Sequence, residues 1–254
     1  MFTQDIPSAG DIGRYYASED YISHSDTHEG MINKLYHAIR KRTLRGKKNL
    51  LQKETGKNSG KIADVGCGTG AFLHTMKQAG WNITGVEPDE TARKKAADLY
   101  GIKPRPAEEL NSLPQNEFEA ITMWHVLEHV HDLHGYIGQL KNMLAENGKL
   151  FIAVPNYTSY DAVYYGPFWA AYDVPRHLYH FSPKSMRSLL QQHGLTVQKV
   201  QPMWFDSCYV SMLSEKYKNG KGNIIKAFFT GLLSNIKAMG NKEKCSSILY
   251  IISK

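Results

Sequence analysis

Apolar residues recur at helical spacing from Glu29 to about Arg45, where Met31, Ile32, Leu35, Tyr36 and Ile39 share one face. The next run, GKKNLLQKETGKNSG, has three glycines and little to bury, and reads as a polar linker. Residues 1–58 are therefore expected to form an N-terminal helical cap and linker, with the main domain at 59–254. In that domain, short apolar runs alternate with helical patterns. KIADV (61–65) is a strand, followed by a helix with Phe72, Leu73 and Met76 inward and Gly80 at its end. NITGVE (82–87) is a second strand, Asp89 caps the next helix, and Gly101 closes it. A brief third strand is expected at Ile102–Arg105, then FEAITMW (118–124), a helix from Leu133 to Ala145, and GKLFIAVP (148–155). Ser182–Pro183 starts another helix that ends at Gly194, and LTVQKV (195–200) and SSILYII (246–252) close the chain as strands. This alternation predicts an α/β fold with a doubly wound parallel sheet covered on both faces. Two segments break the rhythm, an aromatic loop at 156–181 and a helical insertion at 202–245.

Composition adjusts this picture in a few places. The hydrophobic content of 42% supports a core, and no apolar run reaches the roughly 20 residues of a membrane span. The opening residues, MFTQDIPSAG, lack the basic and apolar regions of a secretory signal, which together with three widely spaced cysteines (Cys67, Cys208, Cys245) predicts a cytoplasmic protein. The net charge is +7, and between Lys34 and Lys61 ten Lys/Arg face one acid, Glu54. That run is either a solvated face or an attractor of acidic substrates, phosphate groups or anionic membrane. No nucleic-acid-binding motif accompanies it.

The stretch DVGCGTG (64–70) follows the first strand and opens a helix, the context in which glycines let a nucleotide approach the backbone. Gly66, Gly68 and Ala71 satisfy a dinucleotide fingerprint, and Glu87 lies where its ribose-binding acid belongs, so an NAD(P)-dependent oxidoreductase is one reading. Gly70 instead gives a strict G-x-G-x-G, and Asp64 before the loop suits a cationic aminoacyl ligand better than a pyrophosphate. With GVEPD (85–89), AEEL (107–110) followed by Leu113–Pro114, and FEAITMWHVLEHV (118–130), the chain resembles the class I S-adenosylmethionine (SAM)-dependent methyltransferases over roughly 60–200 and the last strand. The resemblance implies a Rossmann-like, seven-stranded sheet whose last strand is antiparallel and inserts beside 195–200. It implies SAM as cofactor, with Asp64, Gly66, Cys67, Gly68 and Gly70 on the methionine side. Glu87 and Pro88 would lie at the ribose, Ala107 and Glu108 at the adenine edge, and Trp124 and His125 at the end of the fourth strand.

HVLEHV places His125, Glu128 and His129 at i, i+3 and i+4. The segment is similar to the E-x-x-E-H of ubiquinone-pathway O-methyltransferases, whose side chains hold a divalent cation. Here His125 replaces the first acid, so no metal is assigned and Glu128 and His129 stand only as candidate ligands. The loop 156–181 is crowded with aromatic rings expected to line a pocket, and its DVPRHLYHFS resembles a segment of methyltransferases with this architecture. Asp173, Arg176 and His177 are its polar members. Arg176 is a candidate grip for an anionic group, and His177, with an expected pKa near neutrality, is the preferred general base, with His125 as second. Tyr15, Tyr16 and the N-terminal helix are expected to close over the acceptor. Methyl transfer to a small molecule, with oxygen the favoured acceptor, is the leading reading, and a catalytically silent SAM-binding protein is another alternative. The insertion carries Ile224, Ile225, Phe228, Phe229, Leu232 and Leu233 among lysines, which leaves room for a lid or dimer helix, a peripheral membrane contact, or a lipid-linked or phosphorylated acceptor.

Overall fold

The structure, a computed structural model, describes residues 1–8, 10–15 and 31–254, with side chains from residue 40 onward in the first long helix. Tyr16 and the apolar stripe expected over Met31–Ile39 therefore lie outside the described side chains.

The elements follow in the order α1 (Met31–Thr55), β1 (Lys61–Val65), α2 (Ala71–Gln78), β2 (Asn82–Val86), α3 (Glu90–Tyr100), β3 (Phe118–Trp124), α4 (Leu133–Met143), β4 (Leu144–Pro155), α5 (Tyr160–Tyr165), α6 (Pro183–Gln192), β5 (Thr196–Pro202), α7 (Asp206–Asn219), α8 (Ile224–Gly240) and β6 (Ser247–Ser253). The sheet has the order β2-β1-β3-β4-β6-β5. β1 pairs in parallel with both β2 and β3, and Asp64 stands opposite Gly85 on one side and Thr122 on the other. β6 runs antiparallel to β5, as the family resemblance implies.

Six strands are present among the described residues where seven were expected. The strand expected at Ile102–Arg105 shrinks to one parallel bridge, Val86 to Arg105, held by Arg105 N–H to Gly85 O (2.8 Å) and Glu87 N–H to Arg105 O (2.9 Å). Pro104 and Pro106 flank Arg105 and have no N–H, so the ladder cannot extend and the sheet edge is blunted.

The second difference is the linker. Residues 46–55 continue α1 without a break, and Leu51 on this extension is 1% exposed. Gly46 costs the helix about 1 kcal/mol relative to alanine, but lysines, Leu50, Leu51 and Gln52 are good helix formers, and burial of Leu51 outweighs the glycine.

The chain divides into two compact units. One contains β1, β2, β3 and the start of β4. Ile62 to Val65 are all buried there, as expected for a strand covered on both faces. A Cβ at Gly85 would stand 2.7 Å from Leu73 Cδ1 and 2.9 Å from Cys67 Sγ, so β2 needs glycine where α2 and the loop after β1 crowd it. The other unit contains His125–Ile137 and Phe151–Ser253, with the first residues of the chain. In it, Ile248 to Ile252 form a continuous buried run, and Ser182 and Ser185 make a reciprocal capping box at α6.

Leu51→Ala should lower the unfolding free energy by about 2–4 kcal/mol in urea denaturation, because it empties a packed site. A solvated linker would show almost no change.

Candidate active site

In the first unit, β1 delivers Asp64 and then the bend Gly66–Gly70. Gly66, Gly68 and Gly70 all have left-handed φ values (74°, 54° and 78°), which is the backbone reason for glycine at alternate positions. The N–H groups of Gly66 and Cys67 both donate to Val86 O at 2.7 and 3.1 Å, tying the bend to the end of β2. Glu87 completes the tie: its Oε2 accepts from Gly68 N–H at 2.7 Å and its Oε1 from Asp89 N–H at 3.0 Å. Arg93 donates to the carbonyls of Glu87 and Pro88, both at 2.6 Å. The Ala107–Ser112 turn starts two residues after the bridge that holds Arg105 beside Glu87.

Asp64 is buried and accepts a hydrogen bond from Thr122 Oγ1 at 2.5 Å. Burial pushes its pKa up to about 7, the Thr122 hydroxyl and the Lys47 ammonium oppose that rise, and Glu87 adds to it by repulsion. Burial likewise raises Glu87, against its two backbone hydrogen bonds. Two buried carboxylates thus flank a bend where nothing lies within 4 Å of a Cβ placed on Gly68. The arrangement favours a cationic ligand that approaches the backbone and disfavours a diphosphate. Cys67 is buried, and burial beside Asp64 and Glu87 raises its thiol pKa, so it packs rather than reacts. Trp124 stands edge-on to Phe72 at 5.6 Å, its buried indole N–H has no partner, and Lys47 Nζ lies 3.9 Å from its ring centroid. Lys47 and Thr122 were missed by sequence reasoning: Lys47 because its segment was read as linker, Thr122 although a lone polar residue inside an apolar strand was a legible signal.

In the second unit, the residue after Trp124 is His125, held at a left-handed φ of 57° with its N–H on Ala153 O (3.0 Å). Its ring is clamped at both nitrogens, Nε2 to Asp206 at 3.0 Å and Nδ1 facing Glu128 at 3.4 Å. Burial alone would depress its pKa, but the two carboxylates outweigh burial and raise it to about 10. His125 is therefore an imidazolium at neutral pH and cannot serve as a general base. Asp206 had no sequence signal, lying 81 residues away.

The turn over Leu127–His129 is 3-10 rather than α-helical, so His125 and His129 do not form one face. Glu128, His129 and His177 come together instead, with potential ligand atoms all within 4.8 Å of one another. His177 Nδ1 donates to Ala171 O at 2.8 Å and His129 Nδ1 to Arg176 O at 3.0 Å, which fixes the orientation of both rings. Glu128 is 1% exposed, its Oε1 faces His125 Nδ1 at 3.4 Å, and neither oxygen has a hydrogen-bond donor in good geometry. Burial pushes Glu128 up, but the surrounding histidines outweigh it, and the carboxyl lies below its ordinary value. Burial, and then His129, lower His177 to about 4, not the near-neutral value expected of a general base.

Asp173 and Arg176 engage each other, with Arg176 Nε and a terminal nitrogen on Asp173 Oδ1 at 3.1 and 2.5 Å. Asp173 Oδ2 lies 3.7 Å from His177 Nε2. The aromatic segment 156–181 folds into α5 and short 3-10 turns, and Tyr165 and Trp169 are core residues rather than pocket walls. Asp161 explains that burial: it is fully buried and accepts from Trp169 Nε1 (2.8 Å), Ser234 (2.6 Å) and Ser246 (2.6 Å).

The clamp on His125 has a measurable consequence. A histidine whose folded pKa lies near 10 stabilises the fold fully below its ordinary value of 6.5, and that contribution disappears as pH rises through about 10. Unfolding free energy from urea titrations at pH 6 to 10 should fall accordingly. Asp206→Asn should flatten the slope and move the His125 NMR titration downward.

A family model described as a methyltransferase domain matches residues 36–200. Among curated proteins, the ubiquinone biosynthesis O-methyltransferase of Actinobacillus pleuropneumoniae serotype 7 is 34% identical over 118 residues, covering 42% of this chain and 50% of that protein. The chain thus spans about half the length of the first curated relatives it matches. Among solved structures, a putative sarcosine dimethylglycine methyltransferase from Galdieria sulphuraria superposes with a TM-score of 0.58 at 17% identity, over 84% of this chain and 87% of that one. Phosphoethanolamine N-methyltransferase 2 of Haemonchus contortus, solved in complex with S-adenosyl-L-methionine, gives a TM-score of 0.57 at 13% identity, over 82% and 52%. The glycine bend and the acid that follows β2 lie within the matched residues: the chain belongs to the methyltransferase domain family.

Proposed function

We propose that this chain transfers a methyl group from SAM to a small-molecule acceptor, with oxygen the favoured atom. The observation that carries the reading is the pair of buried carboxylates, Asp64 and Glu87, around an open, glycine-lined bend. When bound, the donor supplies an electrophilic methyl group on a positively charged sulfur. Asp64 would face the aminoacyl ammonium, with Gly66, Cys67, Gly68 and Gly70 offering backbone at close range. Glu87 keeps lone pairs for the ribose hydroxyls after accepting from Gly68 and Asp89, and Pro88 continues that edge. Ala107 and Glu108 would meet the adenine, and the ring of Trp124 would pack at the end of β3. A diphosphate would add negative charge beside two buried carboxyl groups at this bend, which counts against an NAD(P)-dependent oxidoreductase. The oxygen acceptor is supported by the likeness to curated O-methyltransferases.

The proton bookkeeping changes with the observed environments. His125 already holds its proton, and His177 at about 4 is a weak base. Asp173 and Arg176 are positioning residues, since their mutual pair shapes the loop that carries His177. A second reading follows from Glu128, whose buried carboxylate stands with ring nitrogens of His129 and His177 within 4.8 Å of one another. That donor set fits a divalent cation of the zinc or manganese kind, with His129 and His177 oriented through Nδ1 by backbone carbonyls. A cation there would supply Lewis-acid polarisation of an oxygen ligand.

SAM titration calorimetry tests the first reading. Below pH 7 Asp64 must lose a proton to bind a cation, so affinity should fall by about tenfold per pH unit, and binding should release about half a proton at pH 7 and close to a full proton at pH 6. Asp64→Asn should weaken binding and remove the proton release; unchanged affinity in that variant refutes the site. For the second, adding manganese or zinc to chelator-treated protein should raise the thermal midpoint. Glu128→Gln should abolish that rise, and no rise in the parent protein rejects the cation.

A further inference from the structure

Helix α8 packs the wrong way round for a helix in water. Its buried residues are small or polar, namely Ala227, Thr230, Gly231, Ser234 and Ala238. Gly231 lies so close to α7 that a Cβ would stand 2.8 Å from Cys208 Cα, and Ser207 meets Asn235 at 2.9 Å, so the two helices form a tight antiparallel hairpin. The large apolar side chains point the other way: Ile224, Ile225, Phe228, Phe229, Ile236 and Met239 are each more than half exposed. At 100° per residue these six occupy a continuous face roughly opposite the buried one. Exposed Phe205 and Met212 extend the apolar surface onto α7. No single function of the core accounts for so much apolar area left in water.

The charges around this face are one-sided. From Trp204 to Cys245 the chain has seven lysines and three acids. All three acids are already paired: Asp206 with His125, Glu215 with Lys226, and Glu243 with Arg187. Lys216, Lys218, Lys221, Lys237, Lys242 and Lys244 remain exposed. On the helical wheel Lys237 borders one edge of the apolar stripe, where its long side chain can reach lipid headgroups while its stem stays in the apolar layer. A second copy of this chain on the same face would offer those lysines no free acid from this segment, since all three are already paired. No helix among the described residues is long and apolar enough to cross a membrane, so the contact is interfacial.

We infer that the α7–α8 hairpin docks on an anionic lipid bilayer, laying the outer face of α8 into the headgroup boundary. The substrate of such an enzyme would be drawn from, or delivered to, a membrane surface. Vesicle binding is read without turnover, so its failure and a failure of methyl transfer are separate results.

The test is co-sedimentation of the full chain with vesicles of phosphatidylcholine alone, or containing about a third phosphatidylglycerol. Binding should favour the anionic vesicles and weaken as salt is raised. Phe228→Ser/Phe229→Ser should cut binding about tenfold or more while leaving the thermal midpoint unchanged, because both rings are solvent-exposed. If that variant does not fold, Lys237→Glu/Lys242→Glu supplies the same test through charge. Equal binding to neutral vesicles, no binding, or variants that bind like the parent overturn the inference. A dimer in light scattering that Phe228→Ser/Phe229→Ser converts to monomer, with no vesicle binding by either, assigns the face to a second copy instead.

Discussion

The carbonyl of Val86 and the carboxylate of Glu87 hold the loop that follows β1. Between them they accept from the backbone N–H groups of Gly66, Cys67 and Gly68, so three consecutive residues of the bend are fixed to the end of the neighbouring strand. Such a loop has a backbone too exposed to ligand for side-chain packing to shape it, and hydrogen bonding to β2 takes over that task. The glycines are then required twice, first for left-handed φ values and again for the space that opens over Gly68. A carboxylate used as a backbone anchor is also a carboxylate with lone pairs to spare, which is how one residue can both build the loop and recognise what lies in it.

Burial sets the chemistry of the ionisable groups more than their identity does. Two histidines in the same unit are driven in opposite directions: His125, flanked by Asp206 and Glu128, keeps its proton, and His177, buried against a backbone carbonyl and beside another imidazole, sheds it. Asp64 rises because it is stripped of water with one hydroxyl donor, and Glu128 stays ionised because cationic or polarisable rings surround it. A buried carboxylate beside an imidazole that has shed its proton is a poor proton relay and a good cradle for positive charge. That difference arises from environment alone, since an isolated histidine would titrate near 6.5 in either position.

Much of the fold was legible in the sequence. β3 has the expected bounds, α2 buries the three expected side chains, and the caps at Asp89, Gly101 and Ser182 work as their residue types predict. These features rest on periodicity and on local hydrogen bonds, both of which a sequence displays. The errors share a different origin. The linker became helix because Leu51 found a buried site, and the third strand shrank because two prolines removed the donors its ladder needed. Trp169 of the aromatic loop turned inward because Asp161, silent in the sequence, gathers its indole and two serines around itself.

The sequence by itself determined the alternation of strands and helices, the glycine bend, and the acids Asp64 and Glu87 that flank it, because each depends on neighbours within a few residues or on the pairing of adjacent strands. Only the tertiary structure decided that Asp206 reaches His125 across 81 positions and that His177 joins Glu128 and His129. It also decided that α8 turns its small residues inward and its large ones out. Contacts between distant segments, and the desolvation they impose, leave no periodic trace in a chain. They exist only once the backbone has closed around them.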